Sequence, residues 1–170
     1  TGKYGVRLSG AGAVTGNIEV QSTGVIQVEG NNSYGIAIDT PLIGNLNALG
    51  TINIVGDNSV GLKTTGSVTG NVNVDGSIMA TGGGVRGAVF EGDVSGRLTI
   101  QGAVTATGYR YTALGTDAFV AGLDADDKLQ GGSAVVVASN VGNGLVFDTA
   151  PVDADANNAD EDADGRIDSA

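Results

Sequence analysis

Apolar and polar residues alternate along this chain in short runs, and the runs recur at a fixed spacing. The segments YGVRL, YGIAI, VGLKT, RGAVF and SAVVV open five similar units. From Tyr34 to Val60, and again from Val60 to Arg86, the spacing is 26 residues. Alternation with a period of two is the signature of a half-buried β-strand. Each unit is therefore predicted to contain three short strands.

Alignment of the units places apolar residues in seven columns, which are the expected core positions. The columns are Val6/Ile36/Leu62/Ala88/Val135, Leu8/Ile38/Thr64/Phe90/Val137, Val14/Leu42/Val68/Val94/Val141, Ile18/Leu46/Val72/Leu98/Leu145, Val20/Ala48/Val74/Ile100/Phe147, Ile26/Ile52/Ile78/Val104 and Val28/Ile54/Ala80/Ala106. A short strand cannot cover its own apolar face, whereas stacked units build one continuous core. The pattern predicts an all-β parallel β-solenoid of about five three-strand coils. Thr64 is the polar exception, and we expect its hydroxyl to bond to backbone.

Two departures from the repeat define the predicted domain organisation. The first unit has 30 residues, and the fourth is followed by 21 extra residues, 112–132. Both fall in turns, where insertions cost little. The sequence thus predicts a solenoid over residues 1–150 with an inserted loop at 112–132, followed by an Asp-rich tail at 151–170. Thr1 leads almost directly into a regular coil, so we expect a segment of a longer solenoid with open ends.

Composition excludes several kinds of chemistry and of partner. The chain has no Cys, His or Trp, which removes Cys/His nucleophiles, His-ligated zinc and disulfides. Its net charge is −11, with eight acids and one base in residues 148–170 against eight acids and six bases in residues 1–122. It has no basic stripe for nucleic acid and no apolar run of membrane-spanning length. We expect neither nucleic-acid binding nor direct membrane insertion.

The acidic tail carries the sharpest local motif, DEDADGRID. Acids at alternate positions, a glycine for the sharp turn and a further acid at position nine match the ligand spacing of calcium loops. The predicted ligands are the carboxylates of Asp160, Asp162, Asp164 and Asp168 and the backbone carbonyl of Arg166. The usual glutamate at position twelve would fall beyond Ala170. A solvated acidic linker is the open alternative, and Asp124, Asp126 and Asp127 in the loop form a weaker candidate.

Charged residues of the middle coils offer an enzymatic interpretation, which we do not favour. The candidates are Glu91, Asp93, Arg86 and Arg97 around the fourth coil, with Asp39 and Asp75 on earlier coils. The spacing alone places no pair of carboxylates in a catalytic geometry, and solvated outer-face charges explain these residues equally well. The sequence therefore predicts a protein that is not an enzyme.

Tyrosines recur at two places in the repeat. Tyr4 and Tyr34 open equivalent coils, so we expect them to stack as an aromatic ladder at a corner. Tyr109 and Tyr111 precede the inserted loop, and two uses remain open for them. One is surface recognition, and the favoured one is packing of the loop together with its apolar residues, Leu114, Phe119, Val120, Leu123 and Leu129.

The repeats NNSYGIAIDTPLIGNLNALGTINIVG and GDNSVGLKTTGSVTGNVNVDGSIMATG resemble those in passenger regions of Gram-negative autotransporters, the type V secreted proteins. The resemblance covers about residues 1–150. It implies a right-handed parallel β-helix that is exported through an outer-membrane β-barrel and displayed at the bacterial cell surface. Neither a signal peptide nor a barrel is part of this sequence, and the acidic tail is not general among such regions.

Three functional interpretations follow. The leading one is an extracellular stalk or adhesin that uses an outer face or the 112–132 loop to recognise a host or surface glycan. The second is a filament or surface-layer subunit, in which open solenoid ends pair between copies and calcium in the tail bridges them. The third, less favoured, is a carbohydrate-active β-helix enzyme.

Overall fold

A computed structural model describes residues 2–109, 115–125 and 127–149 of the chain. It contains sixteen short strands and one short helix within these residues. The strands are β1 (Tyr4–Leu8), β2 (Val14–Thr15), β3 (Ile18–Val20), β4 (Val25–Glu29), β5 (Tyr34–Ile38), β6 (Leu42–Ile43), β7 (Leu46–Ala48), β8 (Thr51–Val55), β9 (Val60–Thr64), β10 (Val72–Val74), β11 (Ser77–Thr81), β12 (Arg86–Phe90), β13 (Leu98–Ile100), β14 (Val104–Thr107), β15 (Val135–Val137) and β16 (Leu145–Phe147). The helix is α1 (Asp117–Ala121).

Three parallel sheets form the walls of the solenoid, and each of the first four turns contributes one strand to each sheet. Sheet A has the order β1-β5-β9-β12-β15, sheet B the order β3-β7-β10-β13-β16, and sheet C the order β4-β8-β11-β14. Successive residues of each predicted column are direct neighbours between strands. The protein is a parallel β-solenoid, as the sequence pattern predicts.

The number of complete turns is smaller than expected. Sheets A and B have five strands, but sheet C has four, so the solenoid has about four full turns and a partial fifth. The last unit supplies no strand to sheet C within the described residues, which end at Thr149. The expected count of about five three-strand coils is therefore slightly too high.

A fourth, shorter ladder runs between sheets A and B, where only an apolar column was expected. Val14 pairs with Leu42 in the two-stranded sheet β2-β6, and single parallel bridges then join Leu42 to Val68, Val68 to Val94, and Val94 to Val141. This ladder closes the wall between the two larger sheets. Its column residues in the second, third and fourth turns, Leu42, Val68 and Val94, are buried.

The core fills the space between the sheets. The largest fully buried side chains are Phe90, Ile36, Ile38, Leu42, Leu46, Ile52, Ile54, Leu62, Ile78, Leu98, Val68 and Val72. A smaller cluster of Val28, Ile54, Ala80 and Val85 packs at the corner between sheets C and A. Burial of such side chains contributes roughly 1.5–3 kcal/mol each relative to exposure, so the stacked columns are the main source of stability.

Thr64 differs from the expectation made for it. It occupies the core column of Ile38 and Phe90 and is fully buried, as predicted. Its Oγ1, however, has no hydrogen-bond partner among the described residues.

The inserted segment lies between β14 and β15. Within it, α1 is capped by Thr116, whose hydroxyl accepts a hydrogen bond from the backbone N–H of Phe119. The segment rejoins the solenoid where Gly84 N donates to the Gln130 carbonyl. Phe119 and Leu129 remain nearly half exposed. The expectation that the loop would cover these apolar side chains is therefore wrong for these two, while Leu114 and Tyr111 lie outside the described residues.

Candidate functional site

The outer face of sheet A carries a cluster of aromatic and charged side chains from the first three turns. Tyr4 and Tyr34 stack as predicted, with ring centroids 5.1 Å apart and planes inclined by 11°. The Arg7 guanidinium carbon lies 4.5 Å from the centre of the Tyr4 ring, a cation–π arrangement. Register explains the cluster, because the tyrosines are direct neighbours in the β1-β5 pairing.

Arg7 also links the first turn to the second. Its Nε lies 2.8 Å from Asp39 Oδ2 and donates a hydrogen bond to it. Asp39 Oδ1 accepts a second hydrogen bond from Thr65 Oγ1 in the third turn, at 3.0 Å. The hydrogen bond to Asp39 raises the pKa of the Arg7 guanidinium above its usual value. Asp39 therefore bridges three consecutive turns. We call Tyr4, Tyr34, Arg7, Asp39 and Thr65 the tyrosine–arginine cluster.

Of the charged residues considered for catalysis around the fourth coil, the two carboxylates contact neighbouring turns. Glu91 lies 3.1 Å from the Lys63 Nζ in the turn before. Asp93 Oδ1 accepts from the backbone N–H of Asn140 at 2.9 Å and from its side-chain amide at 3.2 Å, in the turn after. The two carboxylates thus contact different turns. Arg97 contributes its backbone N–H to a ladder with Asn71, at 2.9 Å.

Two ladders of side-chain amides and carboxylates connect the turns at their corners. In the first, the backbone N–H groups of Asn45, Asn71 and Arg97 each donate at 2.9 Å to the side-chain oxygen of the asparagine one turn earlier, starting with Asn17. In the second, Asp57 N donates to Asn31 Oδ1 and Gly83 N to Asp57 Oδ1, at 2.9 and 2.8 Å. The side chains supply acceptors to turn N–H groups that would otherwise rely on water.

A serine ladder follows the second of these corners. Lys3 N donates to Ser33 Oγ, and Ser33 N donates to Ser59 Oγ, both at 3.0 Å. Ser33 and Ser59 are fully buried. The neighbouring Asn32 and Asn58 have φ of 54° and 55°, in the left-handed region that asparagine tolerates better than most residues. The corner is thus defined by local conformation and by bonds between turns.

Tyr109, which precedes the inserted segment, contacts the same corner. Its hydroxyl is hydrogen bonded to Asp57, the central residue of the second ladder. Partial burial, followed by this hydrogen bond to a carboxylate, raises the pKa of Tyr109. Leu129 packs beside Gly83 in the next turn. Tyr109, Phe119 and Leu129 nevertheless leave much of their apolar surface exposed.

The calcium ligands predicted at Asp160, Asp162, Asp164, Arg166 and Asp168 lie outside the described residues, as does Asp126 of the weaker candidate. Among the described residues, no group of three or more His, Cys, Asp or Glu side chains could hold a metal ion. No helix in the described part of the chain is long and apolar enough to cross a membrane.

Sequence reasoning found the acidic and aromatic members of these surfaces but not their partners. Lys63, Asn140 and the acceptor role of the corner asparagines were missed. The Gly-Asn dipeptides at residues 16–17, 44–45 and 70–71 were the available signal, because they recur in register. Equivalent residues in stacked turns face each other, so a repeated polar side chain at a corner is placed to bond along the stack.

Taken together, the fold and its surface define a parallel β-solenoid whose turns are joined by side-chain ladders. Comparison of the chain with protein-family models, curated proteins and solved structures finds no match.

Proposed function

We propose that this chain is a structural and adhesive segment of a secreted bacterial β-helix protein, a stalk of the autotransporter-passenger type displayed at the cell surface. The observation that carries the proposal is the unbroken series of bonds between turns. Main-chain ladders in sheets A and B connect every described turn to its neighbours, and sheet C connects the first four turns. Side-chain ladders at two corners add bonds over the first four and the first three turns.

A stalk must keep its shape without a large globular core. In a solenoid each turn contacts only its neighbours, so rigidity depends on how well successive turns are joined. Here the polar side chains that would otherwise be solvated are used for that purpose, including Asp39, Asp57 and Asp93. Such use of carboxylates favours a structural role for them over a catalytic one.

Adhesion requires a surface that differs from the regular repeat. The tyrosine–arginine cluster supplies aromatic and charged groups on sheet A. The inserted segment supplies exposed apolar groups at Phe119 and Leu129, and Tyr109 lies exposed just before it. Loops placed on a rigid scaffold are the usual carriers of recognition. We assign the adhesive contact to the inserted segment and expect a host or surface glycan as its partner.

Surface display tests this proposal. Fused between a secretion signal and an outer-membrane β-barrel, the chain should reach the surface of a Gram-negative cell and resist added protease there. A matched fusion lacking residues 112–132 should be displayed equally well but lose adhesion to glycan-coated surfaces. Retention of the fusion inside the cell would contradict the stalk assignment, and unchanged adhesion of the shortened fusion would contradict the role of the loop.

A further inference from the structure

The asparagine ladder along the first corner ends at Arg97. The backbone N–H groups of Asn45, Asn71 and Arg97 each donate at 2.9 Å to the side-chain oxygen of the asparagine one turn earlier. The next N–H of this column belongs to Gly144, as the register between β13 and β16 shows. An arginine side chain has no acceptor atom. Arg97 therefore cannot hold the N–H of Gly144 in the way that Asn71 holds that of Arg97.

The N–H of Gly144 is held only loosely. It donates to the Val141 carbonyl at 3.4 Å, whereas an N–H···O hydrogen bond usually spans about 2.7–3.2 Å. Gly144 is exposed and has a φ of 89°. Apart from its chain neighbours, no described residue comes within 4 Å of where its Cβ would be. The main-chain nitrogen of Gly144 is therefore accessible to the side chain that precedes it.

That side chain is an asparagine, Asn143, the one asparagine in the sequence that is followed by glycine. It is exposed and has no hydrogen-bond partner among the described residues. The main chain beside it is fixed, because Asn143 N donates to the Gly96 carbonyl at 2.9 Å. A side-chain amide thus lies next to a loosely held main-chain nitrogen on an anchored turn.

The end of the ladder also explains why this position can carry a side chain. Asn143 occupies the column of Gly70 and Gly96, as the register of β13 and β16 shows. A Cβ on Gly70 would lie 2.5 Å from Asn45 Oδ1, and one on Gly96 would lie 2.2 Å from Asn71 Oδ1. Position 97 has no such oxygen, so the space beside position 143 stays open.

We propose that Asn143 is a site of covalent modification, at which the folded protein deamidates without an enzyme. The Gly144 nitrogen loses its proton to a base in solvent and attacks the side-chain amide carbon of Asn143. The new C–N bond closes a succinimide ring, and the amide nitrogen takes up a proton and leaves as ammonia. Water then opens the ring at either carbonyl, giving aspartate or isoaspartate. In balance, asparagine and water become either acid and ammonia, with no oxidation or reduction.

A second glycine pair, Asp75-Gly76, shows how the solenoid suppresses this chemistry elsewhere. Gly76 N donates to the Ala48 carbonyl at 2.9 Å. A Cβ on Gly76 would lie 2.0 Å from the Gly50 carbonyl oxygen, so the preceding turn packs directly against it. Such a nitrogen becomes available only when the turn opens locally. Reactivity in this fold therefore depends on the ladder as well as on the dipeptide.

The two products differ in their effect on the last described turn. Aspartate adds a negative charge at an exposed corner and leaves the main chain unchanged. Isoaspartate adds one carbon to the main chain between positions 143 and 144. Asn143 N is bonded to the Gly96 carbonyl, and the Gly144 carbonyl to Leu98 N at 3.1 Å. A longer main chain strains these two bonds, so isoaspartate should loosen the pairing of β16 with β13.

Peptide mass mapping of the folded chain tests the proposal. After ageing at mildly alkaline pH in heavy-oxygen water, the peptide that contains Asn143 should lose its amide and gain the label. Both acids should be present and separable by chromatography. Peptides that contain Asn45 and Asn71 should stay unlabelled. Asn143→Gln is the control, because its longer side chain closes the corresponding ring far more slowly.

Asp75→Asn separates the effect of the structure from that of the dipeptide. This variant places a second Asn-Gly pair where the glycine nitrogen is held in a ladder. In the folded protein, position 75 should deamidate on the order of tenfold more slowly than Asn143. In guanidinium chloride the difference should disappear. Circular dichroism before ageing establishes that the variant is folded.

Two results would overturn the proposal. One is an Asn143 peptide that stays unlabelled in the folded wild type, a measurement that does not depend on any variant. The other is a folded Asp75→Asn protein in which both positions react at the same rate, since the ladder would then have no influence.

Discussion

Thr64 has the shape of a core residue but the wrong chemistry for its site. Its hydroxyl is buried between Ile38 and Phe90 without a hydrogen-bond partner among the described residues. An unsatisfied buried polar group costs about 1–3 kcal/mol. Thr64→Val keeps the branched shape and removes the hydroxyl. It should raise the free energy of unfolding by about 1 kcal/mol, measured by urea denaturation.

The adjacent residue provides the control for that variant. Thr65 directly follows the last residue of β9. Unlike the Thr64 hydroxyl, its hydroxyl has a partner and donates to Asp39 Oδ1 at 3.0 Å. Thr65→Val removes a bond that is used, so it should leave stability unchanged or lower it slightly. A Thr64→Val protein less stable than the wild type would show that the hydroxyl has a partner.

Tyr109 makes stability sensitive to alkaline pH. Partial burial and the bond to Asp57 raise its pKa in the folded protein, so folding favours the protonated hydroxyl. The resulting stabilisation is complete below the unfolded tyrosine pKa of about 10 and is lost as pH rises through the higher folded value. Wild-type stability should therefore fall more steeply above that pH than the stability of Tyr109→Phe, as followed by melting temperature. Parallel curves for the two proteins would contradict the assignment.

At the scale of elements, the corner ladders determine how firmly one turn is held to the next. Asn45 Oδ1 accepts from Asn71 N at 2.9 Å. Asn45→Ala removes this acceptor and should lower the free energy of unfolding by roughly 1 kcal/mol, measured in urea. Asn45→Asp keeps an acceptor oxygen, as Asp57 does in the neighbouring ladder. It should restore most of the loss, and an Asp variant as unstable as the Ala variant would argue against the ladder.

The strands could be predicted because the 26-residue repeat shows the same apolar and polar pattern in several units. Each strand assignment is therefore supported by its counterparts in other turns. Ile36 and Leu62 share a column in sequence and a register pair in space. The repeat does not predict contacts between side chains that occupy different repeat positions in successive turns. Arg7 to Asp39 and Lys63 to Glu91 are of this kind, since neither pair shares a column.

The sequence predicted where the inserted segment interrupts the repeat, but not how its side chains pack. Its residues have no counterpart in other turns, so no column could indicate which of them face the solenoid. Phe119 and Leu129 were expected to be covered, and both remain exposed. The anchor through Tyr109 joins residues 57 and 109, which belong to unrelated positions of the repeat.

At the scale of the whole molecule, the acidic tail remains a prediction from sequence. If DEDADGRID binds calcium, millimolar calcium should raise the melting temperature of the full chain and chelation should reverse the rise. Asp162→Asn together with Asp164→Asn should abolish the response. Asp124→Asn with Asp127→Asn is a control of equal charge change. If the tail variant keeps the calcium-dependent rise in melting temperature, the ion binds elsewhere. If the wild type shows no such rise, the tail is a linker.

The repeated register between turns also has a consequence for how such a chain changes in evolution. Residues 60–85 form one complete circuit, and their bonds to the circuits before and after are of the same kind. In-frame duplication of this segment should create a protein about 4.8 Å longer with unaltered edges. Unequal recombination between repeats would therefore tune the reach of the molecule in whole steps, without a new fold having to arise.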